Sequence, residues 1–272
     1  MIDLASFKFI TKGELTYLIF TPWENEALVH GFTTRTGGVS EGEWSSLNLG
    51  FNRGDKETSV IENYRRVCDA LEVTLDSLVL SKQVHELEIA KVTQEDKGNG
   101  ITQPNKWKSK DGIYTREKGV TLVTHYADCV PLFFYAPKYG MIGMAHAGWR
   151  GTVGRIGKKM IELWEKEGIL ASDIQVAIGP SIGSCCFEVG AEVADQFSNQ
   201  FPGASFIIAH EYDDKYHIDL WACNERILLE AGILKENIIQ SQICTCCHSD
   251  LFFSHRKTQG KRGTLGAFMC LK

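Results

Sequence analysis

The stretch VTLVTHYADCVPLFFYAPKYGMIGMAHAGWRG, residues 120–151, decides the fold. It contains three apolar runs, 120–125, 130–135 and 141–145, each too short for a helix and each bounded by turn-forming or polar residues. They read as strands buried in a sheet rather than as half-exposed strands, which would alternate apolar with polar residues. Gly148-Trp149-Arg150-Gly151 then ends the strand run, and a helix is expected over 152–167, with Ile156, Met160, Ile161 and Trp164 on one face. The metal-capable residues Cys129 and His146 fall at the ends of these strands.

Outward from this core the same alternation continues. Upstream, a strand is expected over 27–32, a Gly-rich turn at Thr36-Gly37-Gly38, and a helix over 59–71 that repeats Val60, Ile61, Tyr64, Val67, Cys68 and Leu71 at helical spacing. Strands are expected over 78–84 and 88–92, and the polar segment 95–110 reads as a surface loop. Downstream, strands are expected over 174–178, 237–240, 251–254 and 265–271, and helices over 189–200 and 220–231. This order predicts an α/β (α+β layered) fold with mixed sheets flanked by helices. No linker or repeat divides the chain, so residues 1–272 are expected to form a single catalytic domain.

Composition narrows the function classes. A hydrophobic share of 43% over 272 residues is enough for a packed core, and the formal net charge of −5 gives no broad basic field for nucleic acid. Residues 1–10 are too short in apolar length and too poor in basic residues for a secretory signal. No run reaches the roughly 18 apolar residues of a membrane span. Nine cysteines, with Cys185-Cys186 adjacent and Cys244, Cys246 and Cys247 clustered, suit free thiols in a reducing cytoplasm better than a disulfide framework.

Gln83-Val84-His85, Ala127-Asp128-Cys129 and Ala145-His146-Ala147-Gly148 each place a metal-capable side chain at or near a strand end. Two imidazoles and one thiolate suit zinc, and three protein ligands leave the fourth tetrahedral position for water or substrate. Spacing alone leaves open the alternative of separate hydrogen-bonded histidines and a core cysteine, because these positions lack the short-range pattern of a zinc finger.

Seven motifs occur in order: Phe32-Thr33-Thr34-Arg35-Thr36-Gly37-Gly38-Val39-Ser40, Gln83-Val84-His85, Asp111-Gly112-Ile113-Tyr114-Thr115, Ala127-Asp128-Cys129-Val130-Pro131, Ala145-His146-Ala147-Gly148-Trp149-Arg150-Gly151, Ile178-Gly179-Pro180-Ser181-Ile182 and Phe252-Phe253-Ser254-His255-Arg256. Together, across roughly residues 28–272, they resemble the YfiH/YlmD family, also called the polyphenol-oxidase or laccase-domain family and related to human FAMIN. The resemblance implies that His85, Cys129 and His146 are the metal ligands. It also implies phosphate-dependent cleavage of adenosine, inosine, guanosine and methylthioadenosine, and deamination of adenosine. Glu86 departs from the family's usual Gly after the first histidine, which is expected to alter the cavity rim without removing a ligand.

These two chemistries assign expected roles. Deamination needs a hydroxide at purine C6 and a group to move protons, and Asp128 beside Cys129 is the candidate for that role or for support of the ligand. Phosphorolysis needs a held phosphate. Arg150-Gly151-Thr152 at the expected helix start and Arg35 with Gly37 and Gly38 are the two anion-site candidates. Trp149 is the candidate to stack on the purine. The expected cofactor is Zn²⁺, with Cu²⁺ as an alternative occupant. The expected partners are nucleosides and phosphate, not nucleic acid or membrane; no protein partner is indicated.

Four other readings are weighed. A blue multicopper phenol oxidase needs many histidines in His-x-His pairs, and this chain has eight histidines and no such pair. A thiol hydrolase would use Cys185 or Cys186 with His248 or His255 as base. An amide-cleaving activity, thiol- or metal-dependent, would suit the editing of peptidoglycan precursors with which the family has been linked. A structural zinc protein would use Cys244, Cys246, Cys247 and His248.

Overall fold

Alternate residues of the central strands feed two different cores, and this sets the architecture. The computed structural model describes residues 6–209 and 214–272, so the first five residues of the 1–10 segment lie outside it. Its strands are β1 (Phe7–Lys12), β2 (Leu15–Phe20), β3 (Leu28–Thr33), β4 (Leu78–Leu80), β5 (Ile89–Lys91), β6 (Gly112–Thr115), β7 (Thr121–Tyr126), β8 (Val130–Ala136), β9 (Met141–Ala147), β10 (Gln175–Ile178), β11 (Glu188–Gly190), β12 (Ile207–Ala209), β13 (Lys215–Ile218), β14 (Ile238–Gln240) and β15 (Leu265–Leu271). The helices are α1 (Glu57–Leu71), α2 (Trp149–Val153), α3 (Ile156–Lys166), α4 (Ala191–Gln200), α5 (Leu220–Glu230) and α6 (His255–Thr258).

One six-stranded sheet has the order β1-β2-β3-β15-β7-β4, a second the order β14-β10-β8-β9-β6-β5, and β11-β13-β12 form a small third. On β8, Val130, Leu132, Phe134 and Ala136 join the core beneath α3 and α5, whereas Phe133 and Tyr135 join the core between the two large sheets. On β15, Leu265, Ala267, Met269 and Leu271 face that same inter-sheet core, and Phe268 and Cys270 face α1. The result is four layers: α1, first sheet, second sheet, then α3 with α5. Strands buried on both faces need apolar residues at every position, as their uniform composition required.

The mixed α/β architecture agrees with the sequence reading, and several elements differ. The helix expected over 152–167 is two helices, because Arg155 takes a left-handed backbone (φ 58°) between α2 and α3. After that bend α3 buries Ile156, Met160, Ile161 and Trp164. Residues 251–254 are a turn; Phe252 and Phe253 are buried as anchors, and the Ser254 hydroxyl caps α6 by accepting from the Lys257 N–H. The strand expected over 78–84 stops at Leu80, freeing residues 81–86 to enter the site. Strands β1, β2, β6 and β11–β13 were not expected. Among the described residues no helix is long and apolar enough to cross a membrane.

Trp164 is fully buried against Phe134 and Tyr114. Trp164→Ala is expected to destabilise the protein by about 3–5 kcal/mol, through lost burial and the cavity left behind. Urea unfolding of the two proteins measures the difference.

Candidate metal centre

The ends of β4, β7, β8 and β9 meet at the open edge between the large sheets, and the three sequence-selected donors converge there. The donor atoms of His85, Cys129 and His146 lie within 4.8 Å of one another. Cys129 Sγ is 4.0 Å from His85 Nε2, and the two imidazole rings are 4.9 Å apart between centroids. His146 comes from the end of strand β9, Cys129 from the turn before β8, and His85 from the loop after β4.

Asp111, which precedes β6, organises this group. Its fully buried carboxylate accepts the N–H groups of Val84, His85 and Glu86 at 3.0, 3.0 and 2.9 Å. His85 adopts φ 67° so that these successive N–H groups turn toward one anion, a main-chain nest. The same carboxylate receives His146 Nδ1 at 2.8 Å, which fixes the ring and leaves Nε2 for the site. Gln83 holds the other end of the loop, exchanging hydrogen bonds of 2.7 Å with the backbone of His125 on β7.

Electrostatics match this geometry. Burial alone would raise the Cys129 thiol, yet His146 and then His85 hold it down at about 6. Burial would likewise lower His146, but the facing Cys129 charge and the Asp111 hydrogen bond lift it to about 9. Asp111 stays below the usual carboxylate range despite its burial, because His146 and the Val84 and Glu86 N–H groups favour its charged form. A cation at this point would meet a thiolate and one oriented imidazole. A Cβ on Gly148 would lie 3.1 Å from Cys129 Sγ and 3.2 Å from His85 Cδ2, so the absence of a side chain there keeps the cradle open.

The group opens into a cavity of about 1170 Å³, whose lining includes Arg53, His125, Trp149, Phe187, His255, Arg256 and Arg262. Arg262 is nearly buried; its Nη1 donates to Gly263 O and Thr264 Oγ1, but its Nε has no protein partner. Burial and the neighbouring Arg53 hold its guanidinium down at about 10. Burial, followed by the same Arg53 charge, also drives His125 down to about 4, so that ring is neutral. Arg256 is anchored elsewhere, donating to Cys186 O at 2.6 Å and Glu188 O at 2.9 Å.

The structure redistributes several expected roles. Arg35 is outside the cavity lining: Nε and Nη2 donate to Ser45 O, Nη1 donates to Ser249 O, and the guanidinium lies over Phe253. These contacts commit three of its five N–H donors to backbone carbonyls outside the cavity. Gly37 and Gly38 serve close packing, since a Cβ would fall 2.4 Å from Leu15 Cα and 2.1 Å from Ser46 O respectively. Arg150 is exposed and stacks on Trp149 at 4.2 Å, away from the cavity that Trp149 itself lines. The helix starts at Trp149, so the Thr152 N–H already donates to Gly148 O, and its hydroxyl donates to Ala147 O. Gly151 and Thr152 are buried within α2 and offer no free anion site.

Asp128 lines the cavity, but its carboxylate accepts from Thr245 Oγ1, Ser254 Oγ and the Arg256 N–H. That bonding fits support of neighbouring segments rather than proton transfer. Glu86 does not line the cavity; its carboxylate accepts from Ser109, and its backbone N–H supplies Asp111 as any residue would. For the thiol-hydrolase reading, burial and the facing Cys247 thiol push Cys185 upward, opposite to what a nucleophile needs. The group expected as Cys244, Cys246, Cys247 and His248 has other members: Cys185, Cys186, Cys244 and Cys247 converge.

Comparison with known proteins adds independent findings. The family model described as multi-copper polyphenol oxidoreductase laccase matches residues 29–272. The chain is 41% identical over 254 residues to the purine nucleoside phosphorylase YlmD of Bacillus subtilis, covering 93% of this chain and 91% of that protein. It is 35% identical over 232 residues to the adenosine deaminase RL5 of an unknown prokaryotic organism, covering 84% and 88%. The crystal structure of YlmD from Geobacillus stearothermophilus superposes with a TM-score of 0.89 at 40% identity, covering 97% of this chain and 98% of that one.

Asp111→Asn removes the anion that gathers the loop and orients His146. Metal affinity is expected to fall about 10–100-fold. Gly148→Ala is expected to weaken binding while leaving the far-UV circular dichroism unchanged. Titration with zinc against a competing chelator measures both.

Proposed function

The chain belongs to the multi-copper polyphenol oxidoreductase laccase family, and from that premise we propose that it is a cytoplasmic, zinc-dependent purine nucleoside phosphorylase formed by the whole of residues 1–272. The observation that carries this reading is one cavity that joins the His85, Cys129 and His146 group to a basic wall containing Arg53 and Arg262. Its substrates are adenosine, inosine, guanosine and methylthioadenosine, with phosphate as the second substrate.

The donor set, two imidazoles and a thiolate, would suit one zinc ion, and Gly148 puts no side chain against those donors. It does not fit a blue multicopper centre, because the other metal-capable group among the described residues is all thiol. When bound, the metal supplies a Lewis acid and lowers the pKa of a water beside the substrate.

The chain's own residues do the rest. Arg53 and Arg262 hold the phosphate, whose oxygen attacks ribose C1′ as the bond to the purine nitrogen breaks. Trp149 and Phe187 offer apolar faces for the base, and their bulk keeps bulk water from competing with phosphate. Deamination of adenosine is the second activity of the site. The same open metal position supports it, and the similarity to a protein named adenosine deaminase accords with it.

The test is incubation of metal-analysed protein with inosine and with adenosine, each with and without phosphate, followed by product identification. Free base released only with phosphate supports phosphorolysis, and inosine formed from adenosine supports deamination. Neither product from metal-replete protein overturns the reading. His85→Ala is expected to abolish turnover with the fold retained. Arg262→Met is expected to raise the KM for phosphate about 10–100-fold, the scale of one lost hydrogen bond to a charged group, with a smaller change in the KM for nucleoside.

A further inference from the structure

A second gathering of donors lies outside the cavity. The sulfur atoms of Cys185, Cys186, Cys244 and Cys247 all lie within 4.8 Å of one another. Cys247 Sγ is 3.5 Å from both Cys185 Sγ and Cys186 Sγ. A disulfide needs about 2.05 Å, so these pairs are unbonded thiols at van der Waals range. Zinc–sulfur bonds of about 2.3 Å in a tetrahedron put the sulfurs roughly 3.8 Å apart, close to the spacing already present. Four sulfurs around one point are more than any single disulfide consumes, and they are the full ligand count of a closed structural zinc site.

The surrounding backbone is that of a metal-binding turn. The Gly183 N–H donates to Cys244 Sγ at 3.2 Å, the kind of bond that supports a thiolate ligand. Cys244 and Cys247 stand in a Cys-x-x-Cys turn closed by the His248 N–H donating to Cys244 O. This turn is bridged to the other cysteine segment by the Ser181 N–H to Ile243 O and the Thr245 N–H to Ser181 O. Cys246, between the two ligands, faces the apolar core instead.

We propose that Cys185, Cys186, Cys244 and Cys247 bind one zinc ion as a closed tetrathiolate site, separate from the cavity metal and structural in role. Binding joins two segments, 181–187 and 243–248, that are far apart in sequence, and releases the thiol protons to solvent. Both segments bear on the cavity. Ile182 and Phe187 form part of its wall, and Thr245 donates to the Asp128 carboxylate. The ion therefore pins that wall from behind. The proposal is independent of the nucleoside reading, since it concerns metal content and not turnover.

Native mass spectrometry and elemental analysis of the protein, purified under reducing conditions with zinc present, are expected to give two zinc ions per chain. Cys247→Ser, at an exposed ligand, is expected to lose one ion, and His85→Ala the other. Cobalt loaded into the His85→Ala protein is expected to show the intense thiolate-to-cobalt charge-transfer absorption of a sulfur-rich site. If Cys247→Ser does not fold, the zinc count and cobalt spectrum of the other two proteins still decide. A single zinc per chain that Cys247→Ser retains and His85→Ala loses overturns the proposal. So does an unchanged count in Cys247→Ser, a disulfide within the cluster, or iron with acid-labile sulfide in place of zinc.

Discussion

A single buried carboxylate joins the two halves of the metal centre. Asp111 sits at the start of β6 in the second sheet, yet three of its four hydrogen bonds come from the loop that leaves β4 at the edge of the first sheet. The fourth comes from His146 on β9, its neighbour in the second sheet. An unpaired carboxylate at this depth would be prohibitively costly, so the loop must close over it and the imidazole must turn toward it. Both histidine donors are thereby positioned by one interaction. The left-handed backbone at His85 is the local strain that this arrangement tolerates.

The layered fold makes that interaction available. Two sheets packed face to face leave an open edge where their strands end, and side chains at those ends are close in space although distant in sequence. Cys129, His146 and the 81–86 loop reach this edge because β7, β8, β9 and β4 stop there. The opposite faces of the sheets are committed to α1 on one side and α3 with α5 on the other, which leaves the edge as the place for an opening.

Charge is distributed with a purpose in the cavity. The donor cluster is a thiolate with an imidazole tied to a carboxylate, whereas the nearby wall carries Arg53, Arg256 and Arg262. Arg256 is spent on backbone carbonyls, which leaves Arg53, Lys82 and Arg262 as the other cations of the lining. A chain of net negative charge thus carries a local group of cations without a basic surface. The segments behind this wall depend on each other through Asp128, whose carboxylate collects donors from 245, 254 and 256.

The layered α/β character is legible in the residue pattern, because apolar runs of five to seven residues between turn residues can be buried only as strands or short helix pieces. The sequence also singled out His85, Cys129 and His146, since their chemistry and motif context are local. It did not reveal β1 and β2, whose mixed polar and apolar residues suit an edge hairpin as well as a loop, or β6, which is only four residues long. What each arginine does depends on the folded surroundings. Arg35 and Arg150 stand in recognisable motifs but spend their charge on carbonyls and a tryptophan face, whereas Arg53 and Arg262 stand in no motif and line the cavity. A guanidinium's role depends on which acceptors surround it, and those come from segments up to 214 residues apart, as between Arg35 and Ser249. The same holds for the four cysteines: sequence shows two separate clusters, and only the folded chain makes them one.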